Sequence, residues 1–257
     1  MSTIFLDRDG VINENRSDYV KSWDEFRFLP GSKEAIAELT NAGHRIIVCT
    51  NQAAIARGII SVETVEEIHC RMVAEISEAG GIIERVYYCP HGKDENCFCR
   101  KPCPGMLLRA RDELGIDIND ALFIGDSITD VRAGLAAGAR TVLVLTGLGR
   151  EQLREHFHEA NGPFHVAMSL KHTAEVILQE LSAYSKQRRK FLDFSQEMNA
   201  YYLFGALKGL QLLQSAPWNS GVLSHPRLLV DIAQAGSASA LQAPLFGHPV
   251  LPSFQSS

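Results

Sequence analysis

The chain reads as an α/β protein with a doubly wound parallel sheet. Three observations predict this. Short apolar runs alternate with stretches of helical spacing over roughly the first 180 residues, the pattern of strands linked by crossover helices. Four of the helical stretches stop at a glycine, as helices commonly do. The first apolar run, Ile4-Phe5-Leu6, leads straight into Asp7-Arg8-Asp9-Gly10. In an extended chain, residues two apart share a face, so the two acids point to one spot at a strand's carboxyl end. Open α/β sheets bind ligands there.

In order, the predicted elements are a strand at Thr3–Leu6, a helix at Ser32–Ala42 closed by Gly43, and a strand at Arg45–Thr50. A long helix, Val62–Ala79, ends at Gly80 and precedes a strand at Ile83–Tyr88. Helix Gly105–Leu114, closed by Gly115, leads to strand Ala121–Ile124; helix Ile128–Ala137, closed by Gly138, leads to strand Thr141–Leu145. A last helix is expected over Leu170–Ala183. Right-handed crossovers then cover both faces of the sheet. No internal repeat is visible.

The expected domain spans residues 1–185, and residues 186–257 form a C-terminal extension. The extension opens with the basic run Lys186-Gln187-Arg188-Arg189-Lys190 and has helical spacing from Phe194 to Leu213. From Pro217 onward it is rich in Ser, Gly, Ala and Pro, with Arg227 and Asp231 its only charged residues. Such a segment is either disordered or packed on the domain or on a partner.

Composition narrows the function. Apolar residues make up 46% of the 257, enough for a sizeable core. A net charge of −5 without a basic stripe argues against a nucleic-acid partner. No apolar run reaches membrane-spanning length, and the N-terminus shows no secretory leader pattern. A soluble, cytoplasmic monomer acting on a small molecule is expected.

Further polar residues fall at successive strand ends. Thr50-Asn51-Gln52 supplies a hydroxyl and amides suited to an oxyanion. Arg100-Lys101-Pro102 supplies cations, and a lysine acts there as a point charge against phosphate. Gly125-Asp126-Ser127 ends the fourth strand, with Asp130 one helical turn on. Asp126 can join Asp7 around Mg²⁺, which prefers hard oxygen ligands and few protein carboxylates.

Four of the six cysteines crowd between residues 89 and 103. Cys89, His91, Cys97 and Cys99 make three thiolates and an imidazole, a set suited to a closed, structural Zn²⁺ site. Cys103 is near enough to be a rival ligand, and Cys49 and Cys70 read as core. Zinc would staple a short polar loop and steady Arg100 and Lys101, which follow at once.

The ordered set Asp7-Arg8-Asp9-Gly10, Thr50-Asn51-Gln52, Arg100-Lys101-Pro102, Gly125-Asp126-Ser127 and Asp130 resembles the haloacid dehalogenase superfamily. The longer strings Thr50-Asn51-Gln52-Ala53-Ala54-Ile55-Ala56-Arg57-Gly58 and Cys99-Arg100-Lys101-Pro102 are similar to its histidinol-phosphate phosphatase-like branch. Val11 stands where that branch more often has threonine, and the segment after about residue 185 has no counterpart.

The resemblance implies a haloacid dehalogenase-like Rossmannoid domain with a minimal cap and a zinc loop. It also implies a Mg²⁺-dependent phosphomonoesterase. Asp7 would be the nucleophile and Asp9 the acid and base. Mg²⁺ would lie between Asp7, Asp126 and the backbone carbonyl of Asp9. Thr50 and Lys101 would hold the phosphoryl oxygens; Asn51, Gln52 and Arg100 would bind substrate; Asp130 would support the site. Asp9 needs its proton favoured, and crowding with Asp7 and phosphate is expected to raise its pKa.

The gaps between motifs leave no room for a large cap, so the crevice is expected to be open, edged by Asn13–Val20 and the zinc loop. The resemblance implies a phosphorylated sugar or polyol as substrate, a heptose bisphosphate first, because Arg57-Gly58 and Arg100-Lys101 fit that branch, and histidinol phosphate second. Two other classes compete. A sugar phosphomutase would need more cap to shield its intermediate. A non-catalytic zinc-stapled binding module would not need the intact acids and lysine.

Overall fold

The protein was analysed as a computed structural model that describes residues 2–187. The expected helix over 194–213 and the Ser/Gly/Pro-rich tail lie outside the described residues. Six parallel strands form one sheet in the order β3-β2-β1-β4-β5-β6. They are β1 (Thr3–Leu6), β2 (Arg45–Asn51), β3 (Arg85–Cys89), β4 (Leu122–Gly125), β5 (Arg140–Val144) and β6 (His165–Ala167). The helices are α1 (Ser32–Asn41), α2 (Val62–Glu78), α3 (Gly105–Leu114), α4 (Ile128–Ala137), α5 (Gly149–His156) and α6 (Leu170–Gln187).

Strand alternation divides the core. Ile4, Leu6, Ile46, Val48, Leu122 and Ile124 face one way, against Ile36 of α1, Val65, Ile68 and Met72 of α2, and Leu170 and Ile177 of α6. Phe5, Ile47, Cys49 and Phe123 face the other way, against Met106 and Leu107 of α3 and Ala133 of α4. Strands buried on both faces have no reason to alternate polar and apolar residues, which explains the unbroken runs in the sequence.

β1 pairs with both β2 and β4. From β1 the chain winds outward through β2 and β3, and from β4 outward through β5 and β6. The strand order therefore reverses between β1 and β4, where a crevice opens at the carboxyl ends. Asp7 follows β1 and Asp126 follows β4, so the two acids are neighbours because of topology.

Within the described residues the expected strands and helices form, with ends displaced by at most two residues except at α6, which is described four residues further, to Gln187. Apart from short 3-10 turns, one strand and one α-helix among the described residues were not predicted. β6 has only three residues, too few for a periodic signal, and α5 buries only Gly149 and Leu153 along a polar stretch. Cys49 is buried as expected, but Cys70 is exposed: it follows His69 on α2 and turns outward from the helix's apolar stripe. Among the described residues, no helix is long and apolar enough to cross a membrane.

Candidate active site

Gly10 turns the chain beyond β1 with φ of 82°, a conformation that costs other residues. A Cβ there would also fall on the Asp126 carboxylate. The turn is pinned by Thr146, whose hydroxyl donates to the Gly10 carbonyl at 2.6 Å. One residue on, Gly147 is equally confined, since a Cβ would meet the same carboxylate. The Leu148 amide then donates to Asp126 Oδ2 at 2.8 Å. This loop after β5 escaped the sequence reading, although a hydroxyl and a glycine at a strand end were a usable signal.

Asp7, Asp126 and Asp130 are buried, and one carboxylate oxygen from each lies within 4.8 Å of the others. Lys101 reaches in with its Nζ 2.8 Å from Asp7 Oδ1, 2.6 Å from Asp130 Oδ1 and 2.9 Å from the Cys49 carbonyl. Asp130 also accepts the Ser127 amide at 3.0 Å, closing the N-terminus of α4 as a capping box. Three acids and one ammonium leave the cluster short of positive charge.

Proton affinities show the shortfall. Burial, reinforced by Asp130 and Asp9 and opposed by Lys101, pushes Asp7 up to about 7. Burial and the same crowding hold Asp126 well above the usual carboxylate range. Lys101 is pushed up despite burial, because Asp130 and Asp7 favour its charge. A divalent cation is what such a cluster lacks, and its oxygen donors suit Mg²⁺.

Asp9 is placed differently. Its carboxylate turns to Arg8, which donates from Nη2 to both oxygens at 2.9 Å, and also accepts from Asn13 at 2.8 Å and Gln52 at 3.0 Å. Burial alone would raise its pKa, but Arg8, Asn13 and Gln52 outweigh that and hold it below the ordinary value. Crowding by Asp7 alone therefore does not raise Asp9, contrary to that part of the expectation. The raised affinities belong to Asp7 and Asp126, because Arg8 neutralises Asp9 and nothing equivalent neutralises the cluster.

The remaining predicted residues divide. Thr50 is buried at the end of β2 and accepts from Gln52 at 3.0 Å. The Asn51 amide is spent on the backbone of Lys101, accepting its N–H and donating to its carbonyl, both at 3.1 Å. Asn51 therefore orients Lys101 rather than offering its amide to substrate. The Arg100 guanidinium donates to the His91 carbonyl at 3.0 Å, tying it to the cysteine loop. At the rim, the Arg57 guanidinium lies 5.6 Å from the centre of the Tyr19 ring, so the segment expected to edge the crevice meets the loop after β2.

Cys89, His91, Cys97 and Cys99 converge as expected. Sulfur–sulfur separations are 3.3–3.5 Å, and His91 Nδ1 lies 3.2 Å from Cys99 Sγ and 3.6 Å from Cys89 Sγ. Zn–S bonds of about 2.3 Å in a tetrahedron put sulfurs about 3.8 Å apart, so a small contraction around zinc's place is all that separates the two. Cys103, the rival ligand, is not in the cluster.

An acid after each of two adjacent central strands, answered by a buried lysine, is the arrangement of an α/β hydrolase of phosphate esters. The HAD-hydrolase-like family model (Hydrolase_like) matches residues 98–173. The D-glycero-β-D-manno-heptose-1,7-bisphosphate 7-phosphatase of Pseudomonas putida is 46% identical over 155 residues, 60% of this chain and 89% of that protein. Its namesake in Neisseria meningitidis serogroup A is 40% identical over 71% of this chain and 98% of its own length. The crystal structure of D,D-heptose 1,7-bisphosphate phosphatase from B. bronchiseptica, complexed with magnesium and phosphate, superposes with a TM-score of 0.66 at 40% identity, covering 70% of this chain and 99% of that one. The chain belongs to this HAD-like family of heptose-bisphosphate phosphatases, and it is a phosphatase.

Proposed function

We propose that the protein removes the 7-phosphate of D-glycero-D-manno-heptose 1,7-bisphosphate through an aspartyl-phosphate on Asp7. One observation carries the reading: the Asp7 carboxylate stands between Lys101 and Asp126, in a chain whose relatives bear that activity by name. Asp7 attacks phosphorus, and the bond from phosphorus to the sugar oxygen breaks. Asp9, protonated as the phosphate brings its negative charge alongside, gives that proton to the leaving oxygen. As a carboxylate it then takes a proton from water, which attacks the aspartyl-phosphate and releases phosphate and Asp7.

Lys101 and Thr50 hold phosphoryl oxygens where charge sits in the transition state. Asp7, Asp126 and the Asp9 carbonyl would hold Mg²⁺, which supplies charge neutralisation for the phosphoryl group and the carboxylates. Asp130 and Asn51 keep Lys101 in place; Gln52, which also donates to Asp9, and Arg100 would bind substrate. Cys89, His91, Cys97 and Cys99 hold a structural Zn²⁺, and through the His91 carbonyl that loop fixes Arg100.

The test is phosphate release from heptose 1,7-bisphosphate against histidinol phosphate, with Mg²⁺. The expected outcome is at least tenfold higher kcat/KM for the bisphosphate and heptose 1-phosphate as product. Preference for histidinol phosphate would move the protein to the second substrate. Isomerised phosphate in place of free phosphate would make it a mutase.

A further inference from the structure

Arg8 has one of the longest side chains, and it is 1% exposed. It lies in the bend just past β1, and its side chain runs into the core between Asp9 and α2. A guanidinium is tolerated there only if its charge and donors are met. Asp9 meets the charge: Nη2 bonds both carboxylate oxygens and Nε lies 3.3 Å from Oδ1. The other end, Nη1, is 3.0 Å from Nε2 of His69.

His69 comes from α2, far along the chain, on a stripe with Val65, Ile68, Met72 and Ile76. Arginine has no acceptor, so His69 Nε2 must offer its lone pair and the ring proton must sit on Nδ1. Burial and the Arg8 charge agree, pushing the imidazole down to about 3 and keeping it neutral. The ring also rests beside Tyr88, centroids 5.5 Å apart.

We infer that His69 is a positioning residue for the phosphatase reaction: by fixing the far end of the Arg8 guanidinium, it sets the orientation of the Asp9 carboxylate at the phosphoryl site. With the fork anchored, Arg8, Asn13 and Gln52 hold the carboxylate plane from three directions. Without the imidazole, a buried Nη1 donor is left unmet and the guanidinium turns to satisfy it, carrying Asp9 along. The inference rests on Asp9 being the acid and base.

The test compares two substrates by kcat/KM, which covers steps only through departure of the leaving group. A sugar alkoxide needs a proton from Asp9 to leave; p-nitrophenolate does not. His69→Leu is expected to lower kcat/KM on heptose 1,7-bisphosphate by about tenfold or more, a size typical of small misplacements. On p-nitrophenyl phosphate the change stays within about threefold. His69→Gln, whose carbonyl accepts from Arg8, returns the sugar activity to within about threefold of the parent. Equal losses on both substrates, no loss on the sugar, or failure of Gln to restore it overturns the inference. If the Leu variant does not fold, Arg8→Lys, which keeps the charge without the fork, is judged by the same two-substrate criterion. Asp9→Asn separates the premises: parental sugar activity there sinks the role of Asp9, whereas an inactive Asp9→Asn beside an unaffected His69→Leu sinks only the positioning role.

Discussion

Asp7 and Asp9 are the same residue type, two positions apart, and the fold treats them in opposite ways. Asp7 enters a cluster with Asp126 and Asp130 that one lysine cannot neutralise, and its carboxyl is pushed up to about 7. Asp9 turns into a guanidinium and two amides, and its carboxyl is held down. Residue type therefore does not distribute the roles: the unneutralised acid is the one that calls for a cation, and the neutralised acid is the one held in a set direction.

The strongest way to break this contrast is Asp7→Asn. It should abolish phosphate release, to below about 1% of parental turnover, and leave the protein folded, since an amide relieves the crowding. Retained turnover in a phosphate-release assay would remove Asp7 as the nucleophile.

Zinc offers a further perturbation that reaches the Lys101 side and spares the Asp9 side. Elemental analysis should find about one zinc per chain. Stripping it should lower the melting temperature by about 5 °C or more and reduce turnover, because Arg100 loses its anchor at the His91 carbonyl. Full activity and stability without zinc would show that the cluster does not support the site.

pH separates the two carboxylates with opposite signs. The folded pKa of Asp7 lies above its unfolded value, so the native state binds more protons between about pH 4 and 7, and stability is lost as pH rises through that window. Asp9, with a depressed folded pKa, acts oppositely: its contribution is present at neutral pH and lost in acid. His69 works in the direction of Asp9, since a neutral buried imidazole loses stability as pH falls from about 6.5 toward 3. In metal-free protein, the melting temperature of Asp7→Asn relative to the parent should therefore climb between pH 5 and 8, and Mg²⁺ should stabilise the parent more at pH 8 than at pH 5. A pH-independent difference would mean that Asp7 is not crowded.

The smallest effect is expected from the chain's end. A stop after Gln187, the last described residue, should leave kcat/KM within about twofold, because every residue of the contrast lies before it. An insoluble or inactive product would show that the extension is part of the working enzyme.

Much of this was legible beforehand. Asp7, Thr50 and Asp126 each stand at the end of an apolar run, where the parallel sheet brings them together, whereas Lys101, expected at a strand end too, comes in from the loop between β3 and α3. Cys89, His91, Cys97 and Cys99 stood out by their crowding, although only their convergence set Cys103 aside. Other parts were hidden for identifiable reasons. Asn51 looked like a substrate ligand because an amide at a strand end suits an oxyanion, and nothing local shows that the Lys101 backbone takes it. Cys70 looked apolar in its neighbourhood, but one step past His69 a helix has turned about 100° toward solvent.

By itself, the sequence determined which residues end the strands and in what order, because hydrophobic period and glycine stops are local properties of the chain. Only the tertiary structure decided which acid is neutralised and which is not. That outcome depends on burial and on meetings between residues such as Arg8 and His69 or Asp126 and Leu148, whose contact is created by packing helices on a sheet and has no trace in local pattern.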